Sequence, residues 1–231
     1  MLISNYRIFI GDKFLRYNNI IKAKFIKRIN RFIAEVNIGG VTETVHVKNT
    51  GRCKELLLTD STVILEASDN PLRKTKYDLI AVYKKGLGLV NIDSQAPNKA
   101  VYEWLLKKDY SYIRQEFTYG KSRIDFYMEK EDKKYLLEVK GCTLEIDGTG
   151  YFPDAPTERG VKHLRELTKA QSEGFHCAVA FVIQMEGINE VLPNIETHAE
   201  FGVALEEAKK SGVKVLFLKC AVTPDSLEII N

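Results

Sequence analysis

The sequence predicts an α/β chain, α+β overall, in which a small β-barrel precedes a larger α/β domain. Residues 1–84 contain five short β-like runs separated by turn signals, a spacing that is typical of a small closed barrel. The remaining residues alternate strand and helix patterns, and this order implies parallel strands joined by crossover helices. We place the boundary at the glycine-containing segment 84–88, which predicts a barrel over residues 1–84 and an α/β domain over residues 85–231.

The barrel runs are rich in β-branched and aromatic residues, which favour strands. Gly, Asn, Asp and Pro residues separate them and mark the turns. The five predicted strands cover residues 20–27, 32–38, 42–47, 62–66 and 77–83. Residues 89–92, just after the boundary, are a candidate for a further strand.

The second half shows clear helix and strand signals. Helical periodicity starts at Asn98, and a second helix is predicted over residues 158–172, with Thr157 as its N-cap and Glu158 in its first turn. Residues 177–183 are continuously apolar, which predicts a strand buried on both faces. A third helix and a last strand are predicted over residues 199–210 and 213–218.

Charged residues with a distinctive spacing lie on two of the predicted strands. Strands over residues 122–128 and 134–140 flank a polar hairpin segment, and they carry Asp125, Glu138 and Lys140. Twelve residues separate Asp125 from a Glu-X-Lys triplet, which is the spacing of a metal-dependent phosphodiesterase core. Because side chains alternate along a strand, Glu138 and Lys140 are expected on one face. Burying charged side chains on a strand costs free energy, so their presence there indicates that they serve a function.

This set of groups suits phosphodiester hydrolysis. A hard cation such as Mg²⁺ (or Mn²⁺) neutralises phosphate charge and is held by one or two carboxylates plus water. Asp125 and Glu138 are the predicted ligands, with the Val139 carbonyl as a further one, and Lys140 is predicted to orient or activate the attacking water. Glu116 precedes them on its own strand and is predicted to hold a metal-bound water or a second ion. In the alternative interpretation, Asp125 ends a turn and Glu138 and Lys140 form a surface ion pair.

Further motifs extend this pattern along almost the whole chain, and their order is more specific than any one of them. They are Arg31-Phe32, Asn49-Thr50-Gly51-Arg52, Arg73-Lys74-Thr75, Pro97-Asn98, Ser122-Arg123-Ile124-Asp125-Phe126, Glu138-Val139-Lys140 and Phe152-Pro153-Asp154-Ala155. In these motifs the chain resembles the sugar fermentation stimulation protein A (SfsA) family. The resemblance implies an N-terminal OB-like barrel, a C-terminal domain of the PD-(D/E)xK nuclease type, DNA binding with little sequence preference, and a regulatory link to sugar (maltose) metabolism.

The charge distribution agrees with a nucleic-acid partner. Residues 1–84 hold 15 Lys and Arg against 8 Asp and Glu, whereas residues 85–231 hold 19 against 23. Basic grooves follow phosphates, so the clustered cations are predicted to contact DNA, although a solvated surface is the alternative. The predicted nucleic-acid-binding residues are Arg31, Arg52, Lys54, Arg73, Lys74 and Lys76 in the basic half, with Arg123 and Arg159 near the carboxylates.

Other function classes lack support. No apolar run approaches the roughly 18–20 residues of a membrane span, and no signal-peptide order appears, so a cytoplasmic protein without a membrane partner is expected. The four cysteines are scattered, which signals neither zinc nor disulfides, and no Rossmann or Walker glycine loop supports a sugar-metabolic enzyme. The oligomeric state is left open.

Two hypotheses remain: a Mg²⁺-dependent nuclease acting on DNA, and a DNA-binding regulator that keeps the carboxylates for folding or metal-modulated binding. His163 is a candidate for phosphate contact or proton transfer, with a half-buried helix histidine as the alternative. Gln184 is a candidate for positioning Lys140 or a water.

Overall fold

The computed structural model describes residues 15–230. The strands of its N-terminal part are β1 (Ile20–Arg28), β2 (Ile33–Ile38), β3 (Val41–Val47), β4 (Thr62–Ala67) and β5 (Tyr77–Lys84). They form a five-stranded barrel in which β1 pairs with β2 and β4, β2 with β3, and β4 with β5, all antiparallel. A parallel pairing between β3 and β5 closes the barrel.

The barrel forms because its strands alternate apolar and polar residues, which places one set of side chains inside. Its interior is filled by buried apolar residues that include Phe25, Val36, Val45, Val63 and Leu79. A further strand, β6 (Gly88–Asn91), pairs antiparallel with β5, so the predicted boundary segment forms the turn of this hairpin. The predicted five-stranded barrel is confirmed.

The centre of the C-terminal domain is a sheet of six strands, β7 (Tyr112–Tyr119), β8 (Ser122–Lys130), β9 (Lys133–Cys142), β12 (His176–Ile183), β14 (Lys214–Thr223) and β15 (Ser226–Ile229). The sheet is mixed, in the order β15-β14-β12-β9-β8-β7. In the described part of the chain it is accompanied by the helices α1 (Ala96–Leu106), α2 (Glu158–Ser172) and α3 (Ile195–Lys210). Strands β9 and β12 are parallel, as are β12 and β14, and α2 and α3 make the two crossovers, as predicted.

The two faces of this sheet are covered by different helices. Buried residues of α2 and α3, such as Leu164 and Phe201, share one apolar cluster with Leu136 of β9. Residues of α1, such as Leu105, share a second cluster with Leu137, the next residue of β9. Neighbouring strand residues therefore face opposite layers, and this alternation decides which helix each site residue meets.

The structure differs from the sequence-based prediction at some places. The hairpin between β8 and β9 is tight, with only residues 131–132 between the strands, because most of the polar run 129–133 is extended and paired. A small sheet of β10 (Leu144–Ile146), β11 (Thr149–Phe152) and β13 (Val191–Pro193) was not predicted, since strands of three or four residues show no measurable period. Within residues 15–230, no helix has the length and apolar character of a membrane span.

A buried polar network joins the barrel to the C-terminal domain. The Lys48 ammonium lies 2.8 Å from the Asp93 carboxylate, which is fully buried. The Tyr17 hydroxyl donates to Asp93 (3.2 Å), and the Asn91 amide donates to the Tyr17 oxygen (3.0 Å). From the position directly after strand β12, the Gln184 amide donates to the Asn91 and Asp93 carbonyls. Because its members come from both domains, the network holds the linker between them in place.

Candidate active site

Strands β8 and β9 separate at the point where the candidate carboxylates lie. Their backbone pairing ends at Phe126 opposite Leu137. Beyond that pair, the Asp125 carboxylate accepts the backbone N–H of Val139 at 2.7 Å, so a side chain replaces the missing ladder bond. The same carboxylate accepts from the Asn98 amide of α1 at 2.8 Å. Asp125 is thus anchored beside the strand that carries Glu138.

Glu138 lies on the face of β9 that packs against α2 and is 2% exposed. Its Oε1 atom has two close neighbours, the Lys140 Nζ atom at 2.5 Å and the His163 Nδ1 atom. Its Oε2 atom is buried and has no hydrogen-bond partner among residues 15–230. A buried carboxylate oxygen without a partner is costly, and a cation is one group that would satisfy it.

The pKa values of the two carboxyls move apart. Burial, followed by the nearby Glu138 charge, raises the pKa of Asp125, although the Val139 N–H and Lys140 oppose the rise. Burial alone would raise the pKa of Glu138 as well, but Lys140 and His163 outweigh it and lower this pKa. A divalent cation would neutralise the repulsion between these two buried carboxylates. The residues present therefore fit such an ion.

The Glu116 side chain is exposed, unlike the Asp125 and Glu138 carboxylates with which it was predicted to act. Its neighbours Gln115 and Phe117 pair with Phe126 and Ile124, which sets Glu116 across from Asp125. Its backbone is left-handed (φ 53°), which is uncommon outside glycine. The side chain is 65% exposed and lies 3.5 Å from the Arg123 guanidinium. A role for Glu116 in binding a metal-bound water stays a prediction.

A different set of side chains offers three close ligand atoms. Glu158, His198 and Glu200 place one atom each within 4.8 Å of one another, and in the described part of the chain no such trio includes Asp125 or Glu138. The His198 Nδ1 atom accepts the Thr157 N–H (3.3 Å), so a neutral imidazole carries its hydrogen on Nε2, which faces Glu158. Arg165 pairs with Glu200 at 2.7 Å. Because protein groups already satisfy His198 and Glu200, we interpret these three residues as part of a surface hydrogen-bond and ion-pair network and not as a cation-binding site.

Three of the predicted DNA-binding cations line one pocket at the domain junction. Its volume is about 670 Å³ and its lining includes Arg31, Arg52 and Lys54, with no Asp or Glu among the described residues that line it. Arg28 joins the two turns that border the pocket. Its guanidinium donates to the backbone carbonyl of Arg31 (2.6 Å) in one turn and to those of Asn49 (2.8 Å) and Gly51 (2.8 Å) in the other. The pocket therefore concentrates positive charge without a lining carboxylate to neutralise it.

A narrower cleft of about 320 Å³ adjoins this pocket. It shares Arg31 and Gly51 with the pocket and reaches Gly141, the residue after Lys140. Gly51 is needed here, because a Cβ atom would lie 2.8 Å from the Asp154 carboxylate, which accepts the N–H of the barrel residue Cys53. The Asn-Thr-Gly-Arg and Phe-Pro-Asp-Ala motifs thus meet and form the cleft walls.

The other predicted cations lie elsewhere. Arg123 and Arg159 line a groove of about 1160 Å³ between the β7–β8 turn and α2, together with His163. Arg73 donates two hydrogen bonds to Asp78, at 2.9 and 2.6 Å. Burial by itself would raise the pKa of Asp78, but the Arg73 and His46 hydrogen bonds outweigh it and lower the pKa.

The Arg73 guanidinium is therefore paired with a barrel carboxylate, whereas the neighbouring Lys74 and Lys76 side chains are exposed.

Two contacts of the candidate carboxylates were not predicted from the sequence. Asn98, which binds Asp125, belongs to the Pro97-Asn98 motif, but its role was not readable from spacing. His163 was a candidate for phosphate contact or proton transfer, with a half-buried helix histidine as the alternative; it is a buried helix histidine, and it contacts Glu138, which was not predicted. The Gln184 amide contacts the domain linker, and its Oε1 lies so close to Gly141 that a Cβ there would be 2.3 Å away.

The chain matches two family descriptions that together cover most of its length: the SfsA N-terminal OB domain over residues 26–92 and the sugar fermentation stimulation protein RE domain over residues 95–226. The chain belongs to the SfsA family. Sugar fermentation stimulation protein homologs of Clostridium beijerinckii and Desulfitobacterium hafniense are each 54% identical to it. The first alignment covers 93% of this chain and 96% of the relative, and the second covers 93% and 95%.

A solved SfsA structure has the same fold. The structure of Pyrococcus furiosus SfsA in complex with Ca²⁺ matches with a TM-score of 0.81 at 22% identity, over 96% of this chain and 100% of that one. The SfsA architecture of this chain is therefore an N-terminal OB domain followed by a nuclease-like mixed α/β domain, as the sequence predicted.

Proposed function

We propose that this chain is a Mg²⁺-dependent nuclease that binds DNA with little sequence preference and hydrolyses its phosphodiester bonds, with Mn²⁺ as an alternative ion. The observation that carries the proposal is the buried Glu138 carboxylate: Lys140 and His163 contact one of its oxygens, and the other has no partner in the part of the chain that the structure describes. Asp125, whose pKa the Glu138 charge helps to raise, would complete the carboxylate pair. Mg²⁺ typically uses one or two carboxylates and several waters.

Each residue then has a defined task. Asp125 and Glu138 would hold the cation, with the Val139 carbonyl as a predicted third oxygen. A bound divalent cation supplies Lewis-acid polarisation of the phosphate and its attacking water. Lys140, beside Glu138, would orient that water and stabilise negative charge developing on the phosphate. Glu116 is proposed to hold a metal-bound water at the outer edge.

Two further facts support a cation and a polyanion. The related Pyrococcus furiosus protein was solved with Ca²⁺, which, like Mg²⁺, prefers oxygen ligands. In this chain, the pocket around Arg31, Arg52 and Lys54 adjoins a cleft that includes Gly141, the residue after Lys140 in sequence. A strand whose phosphates occupy this pocket would lie on the same domain junction as the cleft. We propose Arg123 and Arg159 as contacts on the α2 side.

The decisive experiment is cleavage of supercoiled plasmid and of single-stranded DNA by purified protein in Mg²⁺, Mn²⁺, Ca²⁺ or EDTA. We expect cleavage with Mg²⁺ and Mn²⁺, none with EDTA, and none for Glu138→Gln, because the amide cannot supply a charged ligand. Glu131→Gln in the exposed β8–β9 turn is the matched control and should cleave normally.

If no DNA form is cut with any ion while DNA still binds, the nuclease proposal is wrong. The chain would then be a DNA-binding regulator that keeps its carboxylates for folding or metal-modulated binding. Cleavage that survives Glu138→Gln would point to a contaminating nuclease.

DNA affinity should fall when the pocket cations are removed. Each phosphate contact contributes about −0.9 to the slope of log K against log salt for duplex DNA. Replacing Arg31 and Arg52 with alanine should weaken binding and make this slope shallower by up to about 1.8. These are better targets than Arg73, whose loss would remove two of the hydrogen bonds that Asp78 accepts. The measurement is fluorescence anisotropy with random-sequence DNA across a salt series.

A control variant replaces two exposed cations, Lys210 and Lys214, with alanine. Neither residue lines the pocket around Arg31 or the groove around Arg123 and Arg159. It should leave the slope nearly unchanged. Equal slopes for the two double variants, or strong preference for one sequence, would contradict the proposed binding surface.

A further inference from the structure

The imidazole of His163 is enclosed by protein groups and connects the surface of α2 to the candidate site. It is 4% exposed and lies on the inward face of α2, whose start is set by the Thr157 hydroxyl accepting the Gly160 N–H at 3.1 Å. The Nδ1 atom contacts Glu138 Oε1, and the Nε2 atom lies 3.3 Å from the Nε atom of Arg159. With both nitrogens engaged by side chains, this histidine has no free nitrogen for a phosphate.

The Arg159 contact determines which nitrogen carries the hydrogen. A guanidinium can only donate, so His163 Nε2 accepts from Arg159 and bears no hydrogen. The single N–H hydrogen of the neutral ring is then on Nδ1, where it is donated to Glu138 Oε1. With the other tautomer, two N–H groups would face each other at Arg159, and the Glu138 oxygen would lose a donor.

We infer that His163 is a positioning residue for Glu138, and that Arg159 keeps its imidazole in the Nδ1–H tautomer that this task needs. The inference rests on the proposed function in one respect, namely that Glu138 is a cation ligand. Donors from His163 and Lys140 converge on one carboxylate oxygen and leave Oε2 as the oxygen available to an ion. Fixing the carboxylate in this way predicts that the ion site is formed before the ion arrives.

The same geometry distinguishes positioning from simple packing. An apolar residue of similar size would fill the space between α2 and β9 but would leave Glu138 with Lys140 as its remaining donor. Asparagine carries an N–H donor at about the place of Nδ1, although it is smaller. His163→Asn and His163→Leu therefore separate the hydrogen bond from the volume of the side chain.

The first test reads the tautomer directly, by nitrogen-15 NMR of the metal-free chain, which contains only four histidines. We expect His163, assigned by loss of its signals in His163→Asn, to show the neutral Nδ1–H pattern. In Arg159→Met the pattern should shift towards a mixture of tautomers. An Nε2–H pattern in the unsubstituted chain, or no change in Arg159→Met, would overturn the inference about Arg159 and the tautomer.

The second test is Mn²⁺ binding by calorimetry, with the thermal unfolding midpoint as a check on folding. Loss of a residue that orients a metal ligand typically weakens metal binding about 10–100-fold, and we expect this for His163→Leu and a much smaller loss for His163→Asn. Equal affinities for unsubstituted chain and His163→Leu would overturn the positioning role. If the unsubstituted chain binds no Mn²⁺ although the tautomer is as stated, the proposed function fails instead, because the NMR result does not require a metal.

Discussion

Replacing Lys140 with alanine is expected to abolish metal-dependent cleavage while leaving DNA affinity nearly unchanged. Lys140 is 12% exposed and lies 2.5 Å from Glu138, so its charge acts in a site largely shielded from water. Removing one preorganised donor to developing charge typically lowers turnover by about 10²–10³-fold, which would put a weak nuclease below detection. One ammonium adds little to an interface of many phosphates, so binding should persist.

The measurement pairs plasmid nicking with anisotropy on the same preparations. Lys134→Ala is the matched control, because Lys134 lies on the same strand at its exposed end and pairs opposite Glu129. It should leave both cleavage and affinity unchanged. Cleavage by Lys140→Ala at the unsubstituted rate would remove Lys140 from the mechanism. A large loss of DNA affinity would show instead that Lys140 serves mainly in binding.

The largest expected effect on stability comes from Lys48→Met at the domain junction. The change would leave the fully buried Asp93 carboxylate without its ammonium partner, now 2.8 Å away. Breaking a buried ion pair on one side costs about 3–5 kcal/mol, because the remaining charge is uncompensated. Tyr17 would still donate to Asp93, but a hydroxyl does not neutralise a charge. Urea unfolding followed by circular dichroism measures the loss.

Two further variants test the explanation. Lys209→Met removes a cation from an exposed pair with Glu206, at 2.7 Å, and should change the free energy of unfolding by no more than about 1 kcal/mol. Adding Asp93→Asn to Lys48→Met removes the unpaired charge and should recover part of the lost stability. If Lys48→Met and Lys209→Met behave alike, the junction network does not stabilise the fold as described.

Local patterns predicted several elements closely. Helix α2 was predicted over residues 158–172 and spans Glu158–Ser172, because its N-cap and apolar periodicity are both local signals. The parallel order of β9, β12 and β14 followed from the alternation of strands and helices, since parallel neighbours need crossovers. The three-stranded sheet was missed because its strands are too short to show a period and because β13, the partner of β11, lies far along the chain.

The charge pattern of the sequence did not predict which cations are paired with carboxylates in the folded chain. The sequence placed Arg73 and Arg31 in the same class, as exposed residues of a basic half. In the structure, Arg73 makes a double hydrogen bond with Asp78, whereas Arg31 makes no salt bridge within residues 15–230 and lines the pocket at the domain junction. Arg28, which was not assigned, builds that pocket by binding backbone carbonyls. Which cation is free for phosphate depends on distant partners that composition does not contain.

For the candidate site, the sequence by itself determined the residue types and their faces. The period of two along a strand puts Glu138 and Lys140 on one face, and the structure has them 2.5 Å apart. Only the tertiary structure decided their surroundings. The crossover brings His163 of α2 onto Glu138, and the packing of α1 brings Asn98 onto Asp125. Those contacts depend on how helices pack on the two faces of a sheet, which short-range periodicity does not specify.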